Sequence, residues 1–176
     1  MSSRSAPVQS APGRGASGRS IPGRGIPRLG AAQLAGVAYR RRPGVYAILI
    51  RDGRLLLTHQ AAPVPEFQLP GGGIDPGESP LAALHREVFE ETGWRIAPIR
   101  RLGAFRRFVF MPEYDLWAEK LCTIWLARPT RRIGPPTEPG HSVHWLDPWR
   151  AQDALGNPGD CAMLRGYLAQ NALPDR

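Results

Sequence analysis

From residue 45 onward, apolar residues come in short β-prone runs separated by turn residues, and three stretches switch to helical spacing. Residues 45–50 and 55–58 are two such runs, and Asp52-Gly53 between them signals a hairpin. Phe67-Gln68-Leu69 is a short strand leading into Pro70-Gly71-Gly72-Gly73. Residues 94–110 read as one or two strands broken near Gly103, residues 116–126 as another, and 143–146 as a short last one.

The first helical stretch has both ends marked. Ser79 supplies a capping hydroxyl, Pro80 fits the first helical position, and Gly93 suits a left-handed stop, so a helix is predicted over 80–92. Leu81, Leu84, Val88 and Thr92 form the stripe expected to sit on a sheet. At about 100° per residue, Glu87, Glu90 and Glu91 share an arc of roughly 100° on a neighbouring face. Asp147-Pro148 opens a second helix, to about residue 155. A third, over about 160–169, puts Met163, Leu164, Tyr167 and Leu168 on one apolar side. Strands with a central helix and a terminal one predict a mixed sheet covered on two faces.

Three carboxylates on one helical arc repel one another unless a cation sits among them. An oxygen-seeking ion such as Mg²⁺ answers that need, with phosphate oxygens and water completing its shell. Arg86, four residues before Glu90, is placed for a charge-assisted pair. Gly71, Gly72 and Gly73 carry two readings, a close backbone approach to phosphate oxygens and a tight strand-to-helix turn, and both can hold.

The stretch from Gly72 to Trp94 resembles the Nudix box, G-x5-E-x7-R-E-U-x-E-E-x-G-U, where U is bulky and apolar. Gly72, Glu78, Arg86, Glu87, Val88, Glu90, Glu91, Gly93 and Trp94 match every defined position. The resemblance implies an α/β/α sandwich and attack of water, dependent on Mg²⁺ or Mn²⁺, on a nucleoside diphosphate linked to another moiety. It implies Glu87, Glu90 and Glu91 as metal ligands supported by Glu78 and Arg86. The family often adds an acid from a late loop, and Glu138, in a Pro/Gly-rich segment, is the candidate for a catalytic or metal role.

Charge divides the chain. Residues 1–42 carry arginines at 4, 14, 19, 24, 28, 40, 41 and 42 and no acid, so the whole net charge of +8 belongs to that segment. It is rich in Ser, Ala, Pro and Gly and poor in apolar residues, which predicts a disordered tail over 1–42 and a folded domain over 43–172. Arginine–glycine runs bind nucleic acid, yet no aromatic precedes Tyr39 to stack on bases. A solvated extension, or a start placed too far upstream, is the preferred reading. No apolar run spans a bilayer, and Cys122 and Cys161 form no redox or metal pair, in keeping with a cytoplasmic protein.

Other candidates have weaker support. Glu113, Asp115 and Glu119 form a second acidic group, and Arg106 and Arg107 offer phosphate contacts. Phe105, Phe108, Phe110, Tyr114 and Trp117 offer a stacking surface. His59, His85, His141 and His144 share no metal-ligand spacing. The coenzyme A motif is absent, and Pro112 and Tyr114 lie further past the box than the residues marking ADP-ribose and dinucleoside-polyphosphate hydrolases. Dinucleoside polyphosphates, nucleotide sugars, nucleoside triphosphates and capped RNA ends all stay open as substrates. Two other classes stand beside the enzyme: an RNA-binding or RNA 5′-end processing protein, and a non-catalytic module on a Nudix fold.

Overall fold

The computed structural model describes residues 25–62 and 64–171. Strand β1 (Arg40–Arg51) is the centre of the sheet, and its residues 44–49 are all buried. Asp52 and Gly53, both at positive φ, turn the chain antiparallel into β2 (Arg54–Gln60). Then come β3 (Glu66–Gln68), β4 (Gly71–Gly73), α1 (Pro80–Thr92), β5 (Trp94–Met111), β6 (Leu116–Arg132) and β7 (His141–Leu146). Helices α2 (Pro148–Ala154) and α3 (Pro158–Asn171) close the described chain.

Sheet order is β3-β2-β1-β6-β5, with β4 on β1 and β7 on β2. The β1/β6 pair is parallel and the other pairs are antiparallel, which makes the sheet mixed as expected. Past the hairpin, β2 leaves β1 and runs with β7 over Leu55–Gln60, while β4 takes the freed edge of β1 at Gly44–Tyr46. That divergence opens the region over which the acidic helix lies.

Alternation along β1 sorts the two cores. Val45, Ala47 and Leu49 join Leu56, Ala83, Leu84 and Val88 beneath α1. Tyr46 and Ile48 face the other way, onto Leu164 and Leu168 of α3 and Ala151 of α2. Each face thus covers apolar surface that either layer alone would leave in water. Among the described residues no helix is long and apolar enough to cross a membrane.

Several expectations need correction. The three glycines, read as a turn, form β4, because residues without side chains can lie flush against β1. The β5 segment, read as one or two strands, is a single one, and the break expected near Gly103 is a register shift at Arg101/Gly103 that follows another at Pro98/Arg100. Strand β6 runs on to Arg132, where its arginine-rich end pairs with 94–98. Leu81 is exposed, and Ala83 and Glu91 complete the buried side of α1 in its place.

The expected tail boundary at 42/43 falls inside β1. Pro27 and Leu29 bond to the backbone of Arg106, Arg28 lies over the Phe108 ring, and Tyr39 meets that ring edge-on at 4.6 Å. Pro27–Leu29 and Tyr39 therefore contact β5, and the rest of the expected tail, 1–24, lies outside the described residues.

Candidate active site

Helix α1 forms as its sequence dictates. The Ser79 hydroxyl accepts the Ala82 N–H at 3.2 Å, and Gly93 stops the helix in the left-handed conformation. A helix end leaves carbonyls without partners. Here the loop after β6 supplies them: the N–H groups of Thr137 and Glu138 both donate to the Glu90 carbonyl, at 2.7 and 3.0 Å, and Ile133 N–H donates to Gly93. The loop that carries Glu138 is thereby stitched to the end of the helix that carries the box glutamates.

Arg86 organises the exposed side of the cluster. Its Nε and Nη2 grip both oxygens of Glu78 at 3.0 and 2.8 Å, while Nη1 donates to Glu87 at 2.8 Å and to Glu90 at 3.2 Å. Nη2 also donates to the Gly73 carbonyl at 3.1 Å. This fork-on-carboxylate geometry is the strong form of the interaction. It holds the Glu78 carboxyl below its usual range and raises the guanidinium.

The three glutamates sit at different depths. Glu90 is half-exposed, Glu87 is mostly covered, and the Glu91 side chain is only 5% exposed. Glu91 Oε2 accepts the Gly71 N–H at 2.9 Å and the Thr58 hydroxyl at 3.4 Å. Burial pushes the Glu91 carboxyl well above the usual range; the Gly71 N–H opposes this, and the Glu138 and Glu87 charges add to it. Glu87 is raised too, chiefly by burial, with Arg86 opposing. Negative charge here exceeds what the one guanidinium offsets.

Close packing accounts for two of the glycines. A Cβ on Gly72 would lie 2.5 Å from the Glu87 carboxyl carbon, and one on Gly71 would lie 2.6 Å from the Tyr46 Cα. Gly73 faces open space. Gly72→Ala is therefore expected to displace the Glu87 carboxylate, the far end of a flexible side chain, cutting turnover about 100-fold at little cost in stability. Gly73→Ala should change both little. Kinetics and thermal melts of the two variants side by side check this, and equal turnover would refute the packing argument.

Glu138 does reach the cluster. Its carboxylate and that of Glu91 lie on either side of His141, and ligand atoms of Glu91, Glu138 and His141 are all within 4.8 Å of one another. His141 is the residue that the sequence reading passed over. Its signal was local, a histidine three residues after the loop glutamate and at the start of a strand.

The remaining candidates go elsewhere. Glu119 pairs with Arg106 at 3.2 Å and with Arg41 at 3.7 Å, so Arg106 is engaged on the surface. Phe105 is core. Exposed Tyr114 lies under the Arg42 guanidinium. His59 and His144 stack around Phe67, and His85 is exposed.

A cavity of about 560 Å³ lies alongside. Phe108 and Phe110 give it apolar wall, and Arg107, Lys120, Glu66, Glu113, Gln68 and Asn157 give it polar groups of both signs. Gln60, also on its wall, is the register partner of His141, which sets the cavity next to the carboxylates. Buried Asp160 nearby has its carboxyl pushed up to about 6, mainly by burial and against the pull of Arg107.

Comparison with known proteins gives the family. The NUDIX domain model matches residues 40–166. A putative 8-oxo-dGTP diphosphatase of Bacillus subtilis is 36% identical over 74 residues, 42% of this chain and 50% of that one. An RNA pyrophosphohydrolase of Cereibacter sphaeroides is 40% identical over 86 residues, 48% of this chain and 51% of that one. The chain spans about half the length of these curated relatives. A NUDIX hydrolase structure from Nitrosomonas europaea shares the fold, with TM-score 0.62 and 21% identity over 78% of this chain and 98% of that one. The domain match over 40–166, with every defined position of the box in place inside it, shows that this chain belongs to the Nudix family.

Proposed function

We propose that the chain is a divalent-metal-dependent hydrolase that cleaves a phosphoanhydride in a nucleoside 5′-polyphosphate. The observation that carries this reading is the convergence of the box glutamates with Glu138, across a loop stitched to α1, around more negative charge than Arg86 offsets. Oxygen donors in this number suit a hard cation, Mg²⁺ or Mn²⁺, and burial, together with the neighbouring carboxylate charges, raises the Glu87 and Glu91 carboxyls. The residues present therefore fit the ion. Glu87, Glu90 and Glu91 would hold it, and when bound it neutralises charge on the diphosphate and makes water a better nucleophile.

The chain's own groups supply the rest. Glu138, at 41% exposure and fixed through its backbone to Glu90, is the carboxylate free to take the proton of the attacking water. Arg86 keeps Glu78 and Glu87 oriented and is a positioning residue. Gly71 and Gly72 act by letting the carboxylates approach the strand. The cavity beside the cluster, with aromatic wall and both the cations Arg107 and Lys120 and the carboxylates Glu66 and Glu113, suits a nucleoside.

Relatives named for 8-oxo-dGTP and for RNA support a substrate in which a nucleoside bears a 5′-polyphosphate, either free or at a strand end. A panel of nucleoside triphosphates, an oxidised purine triphosphate, 5′-triphosphate RNA and simple phosphomonoesters tests the reading. Cleavage is expected only at anhydrides, because a monoester has no second phosphate for the ion to bridge and a poorer leaving group. Preference for monoesters would overturn it.

A further inference from the structure

His141 is the buried polar group that the reading above does not use. Its side chain is 6% exposed, and neither ring nitrogen has a hydrogen-bond partner. An unsatisfied buried imidazole costs on the order of 1–3 kcal/mol. A place in the core would therefore suit an apolar ring better than this one. The ring lies at the first position of β7, opposite Gln60, between the helix carboxylate and the loop carboxylate.

Its distances are informative. Nε2 is 3.5 Å from Glu91 Oε1, and Nδ1 is 3.9 Å from Glu138 Oε1. Both are too long for hydrogen bonds. Only the first can be a ligand-to-ligand spacing, because an imidazole binds an ion through one nitrogen: donors about 2.1 Å from a shared centre stand roughly 3.0–3.5 Å apart between right-angled and tetrahedral arrangements, and Nδ1, on the far side of the ring, faces Glu138 as a supporting carboxylate. Glu91 divides its oxygens accordingly. Oε2 takes the Gly71 and Thr58 donors, and Oε1 is the oxygen turned to the ring.

We infer that His141, through Nε2, is a nitrogen ligand of the divalent ion held by Glu91, so that this metal centre is a mixed nitrogen–oxygen site. The inference rests on the reading of the acidic cluster as a metal site. It assigns the centre a chemistry beyond that of the box carboxylates, since an imidazole shifts preference from Mg²⁺ toward borderline metals such as Co²⁺ or Zn²⁺.

The test is pulsed EPR of the full chain loaded with one equivalent of Mn²⁺, backed by calorimetric Co²⁺ and Mg²⁺ affinities. The wild-type spectrum should carry nitrogen-14 modulation from a coordinated imidazole. His141→Ala should lose it, and His144→Ala should keep it. Co²⁺ affinity should fall in His141→Ala by at least the roughly 10–100-fold seen when a supporting residue of a metal site is lost, with a smaller fall for Mg²⁺. The wild-type spectrum is decisive even if the alanine variant folds poorly. Bound Mn²⁺ without nitrogen modulation, or modulation that survives in His141→Ala, overturns the inference and leaves the carboxylate site standing. No bound Mn²⁺ at all overturns both.

Discussion

Glu91→Gln is expected to lower turnover by roughly a thousandfold, about 4 kcal/mol of transition-state stabilisation, while making the metal-free protein more stable. The two effects share one cause. Glu91 is buried against Gly71 and Thr58 with its carboxyl pushed well up by burial, so its charge is useful to a cation and costly without one. Glutamine keeps an oxygen for the Gly71 N–H and removes the charge. The sign of the pH dependence follows. A folded carboxyl raised above its ordinary value of 4.5 keeps a proton that the unfolded chain has released, so stability falls as pH rises from that value through the raised one. In excess chelator the wild type should therefore lose stability between mildly acidic and alkaline pH. Glu91→Gln should lose less, and should melt higher at pH 8 by on the order of 1 kcal/mol, or about 2–4 °C. Glu87 contributes in the same direction and stays in the variant, and Asp160, raised to about 6, adds slope only at the acid end. Melting curves against pH and steady-state kinetics measure both halves. Wild-type turnover in the variant would remove Glu91 from the chemistry.

The parts of this molecule legible in its sequence are those governed by neighbours along the chain. Ser79-Pro80 and Gly93 bound α1 to the residue, since capping is local chemistry. Asp52-Gly53 makes the hairpin for the same reason. The box glutamates share a helix, so spacing alone brought Glu87, Glu90 and Glu91 together. Their unequal burial was not legible, because it depends on β4 and on Thr58 of β2, which only the folded sheet brings beneath the helix. Leu81 shows the same limit: helical phase gave the stripe, and the sheet's position chose Ala83 and Glu91 over it. His141 lies fifty residues beyond Glu91, and the β2/β7 pairing sets it there. Residues 25–42 read as tail by composition, yet Tyr39 and Arg28 find Phe108, a contact that composition does not encode.

Removing the metal should abolish activity altogether, a larger effect than any single substitution. On the proposed reading, each box glutamate removed would take one donor from the site, whereas chelation would take away the ion itself. Arg86 cannot stand in, because its donors are already committed to Glu78, Glu87, Glu90 and Gly73. Among the described residues the only basic side chain within ion-pair distance of Glu91 is His141, at 3.5 Å.

The measurement that bears most directly on the account is therefore hydrolysis of a nucleoside 5′-triphosphate in oxygen-18 water by chelator-stripped protein, before and after millimolar Mg²⁺ or Mn²⁺ is restored. The account predicts no cleavage in the stripped protein. It predicts rapid cleavage on adding the ion, with a single labelled oxygen in one phosphate product and none on the nucleoside carbon. Full turnover in excess chelator, or cleavage that leaves the label on carbon, would contradict it.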